Sequence, residues 1–151
     1  LYAGIGMFET TNVSVGRGTK EPFERIGAPW LNGEVIAQRM NALGLPGIRF
    51  QAETFEPTTD LYAKTVCSGV RFEVTDPVLI RPSEVFIHLS FLMRELYLKN
   101  YVLRWDELVR VTGTRDFENA YKNGKPADLV VTQARASAQK FDDERKPFLL
   151  Y

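Results

Sequence analysis

Apolar and polar positions alternate along the middle of the chain. Residues 48–56 place Ile48, Phe50, Ala52 and Thr54 on one face, and residues 69–75 repeat the alternation. A period of two residues is typical of strands with one buried face. Shorter strands are predicted at residues 5–8 and 22–26, and an irregular one at residues 62–67.

Other segments repeat their apolar residues every three or four positions, which predicts helices with one buried face. Asn32 is a plausible N-cap for a helix over residues 33–43. Pro82 opens a helix over residues 83–98, and Pro126 opens the last one, which ends near Lys140. Two short helices are predicted between them, at residues 105–111 and 114–123.

Strands gather in the middle of the chain, and helices dominate its second half. This order predicts an α+β fold with a small mixed or antiparallel sheet flanked by helices, and not a regular βαβ alternation. The length of 151 residues suits one domain. The five apolar-rich residues 147–151 are expected to dock on the body of that domain.

Composition excludes several classes of function. Nineteen basic residues balance nineteen acidic ones, so the chain has no charge signature of nucleic-acid or anionic-membrane binding. No apolar run is long enough to span a bilayer. Cys67 is the single cysteine, which excludes a disulfide within the chain. The first residue is Leu1 and not methionine, which fits either a mature product or a piece of a longer chain.

The segment ETTNVSVGRGT, residues 9–19, is unusually rich in small polar groups. Its composition predicts a surface loop. Gly16 and Gly18 permit unusual backbone angles on either side of Arg17, so this guanidinium could point at a ligand carboxylate and form two parallel bonds with it. The alternative is an exposed arginine on a polar turn. The spacing fits no phosphate-binding glycine motif, and we expect no cofactor.

Few side chains suggest catalysis. Glu9 could be a general acid or base, but glycosidases normally use two facing carboxylates, and Asp60, Asp76 and Asp106 are predicted to be cap or turn residues. His88 is the only histidine, which excludes a histidine-rich metal site, and we expect no metal.

Aromatic residues and the single thiol leave two interpretations open. Trp30, Tyr62 and Trp105 could stack on a sugar ring or belong to the core. Cys67 is predicted to be a buried small apolar residue and not a nucleophile. From these residues alone, the chain is an α+β domain with one ligand-type loop and no complete catalytic set.

An ordered series of motifs resembles the carboxy-terminal domain of the exo-β-N-acetylmuramidase family. The most specific motif is TNVSVGRGT, and a GAPW turn at residues 27–30 follows it. The match continues to the end of the chain with weaker motifs in the family's order. These are LYAG at residues 1–4, NALGLPGIRF at 41–50, FEPT at 55–58, a hairpin at 62–76 and LLY at 149–151.

The resemblance implies a two-domain enzyme that releases N-acetylmuramic acid from the non-reducing end of peptidoglycan fragments. It implies a Rossmann-like amino-terminal domain, an active site in the cleft between the domains, and a principal catalytic acid on the domain missing here. The expected substrate-binding residues are Glu9, Asn12, Ser14, Arg17 and Trp30, with Arg17 facing the lactyl carboxylate of muramic acid.

Two further expectations follow from the resemblance. The isolated chain should be inactive, and the parent protein should lie outside the cytoplasm, where peptidoglycan is found. The rival hypothesis is a non-catalytic binding or interaction module of an exported protein, which kept the fold and lost the chemistry.

Overall fold

A three-stranded antiparallel sheet lies at the centre of the structure, a computed structural model that describes residues 1–149. Its strands are β1 (Arg25–Ala28), β2 (Ile48–Phe55) and β3 (Cys67–Val74), in the spatial order β1-β3-β2. Strand β3 pairs with both neighbours, and Phe50 lies opposite Phe72. The α+β class and the antiparallel sheet predicted from the sequence are confirmed.

Helices cover the sheet and continue beyond it. They are α1 (Tyr2–Ile5), α2 (Gly33–Ala42), α3 (Pro82–Tyr97), α4 (Trp105–Thr112), α5 (Asp116–Lys122) and α6 (Ala127–Arg145), with 3-10 turns at Gly6–Thr10 and Lys146–Phe148. Asn32 caps α2 as predicted, because its side chain accepts a hydrogen bond from the Val35 amide. None of the helices in the described part is long and apolar enough to cross a membrane.

Helix α3 is the centre of the helical layer. Phe86, Leu89 and Met93 are almost completely buried on it, and Pro82 occupies its first turn. The ring of Phe8 meets the ring of Phe86 edge to face, with 4.9 Å between centroids. This contact attaches the amino-terminal segment to the core, since Phe8 itself is fully buried.

The strand predicted at residues 5–8 is wrong, because this segment is helical. Ile5 and Phe8 are three positions apart and both fully buried, so they share one helical face against α3. The strand predicted at residues 62–67 is also wrong over most of its length. Turns occupy residues 61–65, and Tyr62 and Lys64 have positive φ angles that no strand allows.

Strand β2 departs from the predicted alternation in its second half. Ile48 and Phe50 are buried as expected, but Ala52 and Thr54 are exposed, and Phe55 is buried on the opposite face. A Cβ atom on Gly27 would lie 2.6 Å from the Phe55 ring, so the ring occupies the space above this glycine. The far end of the sheet is therefore covered on the face that the pattern assigned to solvent.

The carboxy-terminal segment contradicts the expectation of a docked tail in the residues that are described. Phe148 is 83% exposed, and Leu149 is 49% exposed. Only Val130 and Val131 are buried on α6. Leu150 and Tyr151 lie outside the described residues.

One ion pair fastens the exposed part of α6 to α3. Glu84 is buried, and the Arg135 guanidinium donates two hydrogen bonds of 2.7 Å to its carboxylate. A buried carboxylate without such donors would carry an uncompensated charge. The pair therefore helps to fix the position of α6, together with the buried Val130 and Val131.

We expect Glu84→Ala to lower the free energy of unfolding by about 1.5–3 kcal/mol, because it removes charge-assisted hydrogen bonds at a buried site. Urea unfolding of the chain measures the change. The control is Asp142→Asn, which weakens an exposed pair with Arg145 and should cost less than about 1 kcal/mol. Equal losses in the two variants would contradict a special role for Glu84.

Candidate functional site

The segment of residues 9–19 is half core and half surface, unlike the surface loop that its composition predicts. Val13 and Val15 are 2% and 4% exposed. Ser14 pairs with Gly27 of β1 through two backbone hydrogen bonds of 2.9 and 3.0 Å. The segment thus lies along the edge of the sheet, and its valines face the interior.

The four hydroxyl groups of this segment satisfy backbone groups. Such local bonds are the usual role of serine and threonine in turns. Thr10 donates to the Met7 carbonyl, Thr11 to the Phe8 carbonyl and Thr19 to the Gly16 carbonyl, each at 2.7 Å, and Ser14 accepts from the Gly16 amide at 3.2 Å. The small polar residues therefore shape the backbone, and Ser14, which is 3% exposed, offers little surface to a ligand.

Arg17 is the most prominent charged side chain of the segment. Gly16 and Gly18 have φ angles of 78° and 79°, so the arginine stands between two left-handed residues as the sequence predicts. Its Nε donates to Glu9 Oε1 at 2.6 Å, and its guanidinium lies 4.9 Å from the centroid of the Phe23 ring. The hydrogen bond to Glu9 raises the pKa of Arg17, whose guanidinium is charged at neutral pH in any case.

Glu9 and Phe23 set the direction of Arg17, together with the two glycines. In residues 1–149 neither terminal Nη atom of Arg17 donates a hydrogen bond, while Nε is engaged by Glu9. The side chain is 47% exposed. The outer edge of the guanidinium is therefore oriented and open, and two parallel bonds to a carboxylate are possible there.

A small pocket of about 210 Å³ opens beside this pair. Two carboxylates, Glu9 and Asp60, and two guanidiniums, Arg17 and Arg104, contribute to its wall. Leu61, Thr11, Val13, Ser14 and Val15 complete the lining. The charges balance, so the pocket offers donors and acceptors to a polar ligand without a strong net field.

Arg104 is a site residue that the sequence analysis missed. It precedes α4 and donates to the backbone carbonyls of Glu9 and Thr11, the latter at 3.0 Å, while Glu107 accepts from its Nε at 2.7 Å. It therefore fixes the backbone on which Glu9 stands. No local motif could reveal this contact, because 93 positions separate Arg104 from Thr11.

Asn12 is bound to the loop that follows α3. Its Nδ2 donates to the Asn100 carbonyl at 2.7 Å, and its Oδ1 accepts from the Val102 amide at 2.9 Å. Its backbone carbonyl accepts a hydrogen bond of 2.8 Å from the hydroxyl of Tyr62. The amide side chain thus holds two parts of the chain together and does not line the pocket around Arg17.

Trp30 and Asn12 are linked because both hydrogen-bond to the hydroxyl of Tyr62. The indole N–H of Trp30 donates to the Tyr62 hydroxyl at 3.2 Å, and its ring contacts the Tyr97 ring edge to face at 5.5 Å. The indole is partly exposed. The structure therefore brings Glu9 and Arg17 together in one pocket and places Trp30 and Asn12 beside it, outside its wall.

Within residues 1–149, the remaining candidates do not form a catalytic set either. Burial raises the pKa of the Cys67 thiol to about 11, so this thiol is a poor nucleophile at neutral pH. His88 is partly buried in a groove of about 790 Å³ shared with Trp105, and burial lowers its pKa. In residues 1–149, no cluster of three or more histidine, cysteine, aspartate or glutamate side chains could hold a metal.

Solved structures contain the same fold. A DUF1343 family protein from Bacteroides fragilis NCTC 9343 superposes with a TM-score of 0.89 over 99% of this chain and 41% of its own, at 20% sequence identity. A second DUF1343 family protein from that organism gives a TM-score of 0.63 over 99% of this chain and 39% of its own, at 23% identity.

Sequence comparison gives the family. The peptidoglycan beta-N-acetylmuramidase NamZ of Bacillus subtilis (strain 168) is 30% identical over 152 aligned residues, which cover all of this chain and 37% of that protein. The chain thus spans little more than a third of this relative. The family described as "Exo-beta-N-acetylmuramidase NamZ, C-terminal" matches residues 1–151. The chain therefore belongs to the family of NamZ carboxy-terminal domains.

Proposed function

We propose that the protein containing this domain is an exo-acting glycoside hydrolase that releases N-acetylmuramic acid from the non-reducing end of peptidoglycan fragments. In this proposal the domain supplies the wall that binds the sugar. The observation that carries it is the open outer edge of Arg17, which Glu9 orients through a 2.6 Å hydrogen bond at the mouth of a pocket.

The chemistry of muramic acid matches this edge. Its lactyl ether bears a carboxylate that N-acetylglucosamine lacks. A guanidinium binds a carboxylate through two parallel charge-assisted bonds, which select for both charge and orientation. Arg17 is therefore the proposed specificity residue, and Glu9 is proposed to position it.

The principal catalytic acid is proposed to lie on a preceding Rossmann-like domain, with the active site in the cleft between the two domains. Within this chain, Glu9 Oε1 already accepts a hydrogen bond from Arg17. Asp60 approaches the same guanidinium at 3.8 Å, so the two acids flank a cation and do not face each other across an open bond position. This arrangement suits recognition better than general acid catalysis.

We also propose that the parent acts outside the cytoplasm, because its proposed substrate is cell-wall material. The rival hypothesis is a non-catalytic binding module. Such a module would bind a ligand in the same pocket but would not hydrolyse it. No observation on the described residues favours it over the hydrolase.

Turnover of a chromogenic muramoside distinguishes the two. We expect the parent protein to release the chromophore and residues 1–151 alone to release none, because a glycosidic bond needs an acid that this chain does not place opposite Glu9. The control is the parent with its preceding domain's active-site acids replaced. Turnover by the isolated chain would contradict the proposal that the catalytic acid lies on the preceding domain. An inactive parent protein would favour the binding module.

A further inference from the structure

Asp60 lines the pocket, and its carboxylate accepts no hydrogen bond from residues 1–149. It belongs to the turn between β2 and β3, and its side chain is 51% exposed. Its Oδ2 lies 3.8 Å from Arg17 Nε, which is too long for a hydrogen bond. Among residues 1–149, no group donates a hydrogen bond to its carboxylate, so both oxygens are free to accept from a ligand.

The backbone around Asp60 holds an unusual conformation. Asp60, Tyr62 and Lys64 have φ angles of 70°, 63° and 59°, three left-handed residues other than glycine within five positions. Such residues are uncommon, and they cluster where the surrounding structure serves a site.

Three contacts explain why this turn does not relax. The Thr58 amide and hydroxyl both donate to the Gly18 carbonyl, at 2.9 and 2.8 Å. The Tyr62 hydroxyl donates to the Asn12 carbonyl at 2.8 Å. The turn is therefore attached to the segment on both sides of Arg17, at Asn12 and at Gly18, and Asp60 lies between the two attachments.

We infer that Asp60 is a sugar-binding residue that accepts hydrogen bonds from ring hydroxyls of the ligand whose carboxylate binds Arg17. This inference rests on the proposed function. A carboxylate with two free oxygens can accept from two hydroxyls of one sugar, and it lies beside the donor edge of Arg17 in the wall of the same pocket. The pocket of about 210 Å³ is smaller than those of drug-sized ligands, so it suits a single ring.

This role has a signature different from that of Arg17. Arg17 should discriminate between the two sugars, because only N-acetylmuramic acid has the lactyl carboxylate. Asp60 should bind both sugars equally through the hydroxyls at C4 and C6, which both sugars carry, whereas the C3 oxygen of N-acetylmuramic acid is the lactyl ether and donates no hydrogen bond. A residue that acted only by holding Arg17 in place would affect N-acetylmuramic acid alone.

The test is calorimetric titration of the parent protein with N-acetylmuramic acid and with N-acetylglucosamine. Asp60→Gly keeps the positive φ accessible and removes the carboxylate, so we expect Kd to rise at least about tenfold for both sugars. Asp60→Asn tolerates the same backbone and keeps one acceptor oxygen, so a smaller rise for both sugars is expected.

The matched control is Lys64→Gly, which relieves the same kind of backbone conformation in the same turn and leaves Asp60 in place. It should keep both Kd values within about twofold of the unsubstituted parent. A Kd for Asp60→Gly equal to that of this control would overturn the inference. So would a loss confined to N-acetylmuramic acid, or no binding of either sugar to the unsubstituted parent. Failure of the proposed hydrolysis appears separately, as absent turnover of the chromogenic muramoside while sugar binding persists.

Discussion

Replacing Arg17 by alanine in the parent protein should lower kcat/KM on a muramoside by about ten- to a hundredfold, the range expected for lost charge-assisted hydrogen bonds to a carboxylate. The loss on a glucosaminide should be much smaller, because that substrate has no lactyl carboxylate to leave unpaired. The measurement is kcat/KM for both substrates with purified parent and variant.

Two further variants sharpen this comparison. Arg17→Lys keeps the charge and loses the planar fork, so it should recover only part of the muramoside activity. Arg39→Ala is the matched control, because Arg39 is 48% exposed, as Arg17 is 47% exposed, but pairs with Glu95 away from the pocket. This substitution should leave kcat/KM unchanged on both substrates.

The pattern of losses identifies the role of Arg17. Equal losses on both sugars would mean that Arg17 supports the segment or a domain interface. If kcat/KM is unchanged on both sugars, Arg17 is an exposed arginine on a polar turn, the alternative interpretation of the sequence. Only a selective loss on the muramoside supports recognition of the lactyl carboxylate.

The fold was predictable where each element has its own pattern. The N-cap at Asn32 and the buried run of α3 follow from local chemistry, and the structure has both. The amino-terminal helices were missed, and a strand was predicted at residues 5–8, because Gly4 and Gly6 are poor helix formers. Burial of Ile5 and Phe8 against α3 decides the conformation. A tertiary contact overrides local preference in that segment.

The site was predictable only in part for the same reason. The glycines around Arg17 indicate the backbone conformation at this position. The contacts of Arg17 with Glu9 and Phe23 form only because the chain folds back over residues 9–23. The polar composition of residues 9–19 was a misleading signal, because all four hydroxyls bond to backbone groups. Asp60 and Arg104 reach the pocket from turns far along the chain, and no local spacing could indicate them.

Gly18 is where the two turns of the site meet most closely. Its φ angle is 79°, and a Cβ atom there would lie 2.5 Å from the Thr59 carbonyl oxygen and 2.7 Å from the Thr59 nitrogen. Both atoms are backbone, so they cannot rotate away. Any side chain at this position must move the turn that carries Asp60 away from the segment that carries Arg17.

Gly18→Ala should therefore lower the free energy of unfolding more than Gly113→Ala does. Gly113 has a similar φ of 72°, and its Cβ position has nothing within 4 Å. Its substitution should cost only the left-handed conformation, about 1–2 kcal/mol. Gly18→Ala should cost about 1–3 kcal/mol beyond that, because it adds overpacking against backbone. Chemical unfolding of both variants measures the difference.

Gly18→Ala should also weaken sugar binding, because it changes the distance between the turns that carry Arg17 and Asp60. If Arg17 and Asp60 bind one sugar side by side, separating their turns should weaken binding of N-acetylmuramic acid by the parent protein, while Gly113→Ala should leave it unchanged. Calorimetric titration of the two folded variants makes this comparison at a temperature where both remain native. Unfolding losses that are equal in the two variants would mean that the turns yield without strain. Unchanged sugar affinity in Gly18→Ala would mean that the spacing between Arg17 and Asp60 does not determine binding.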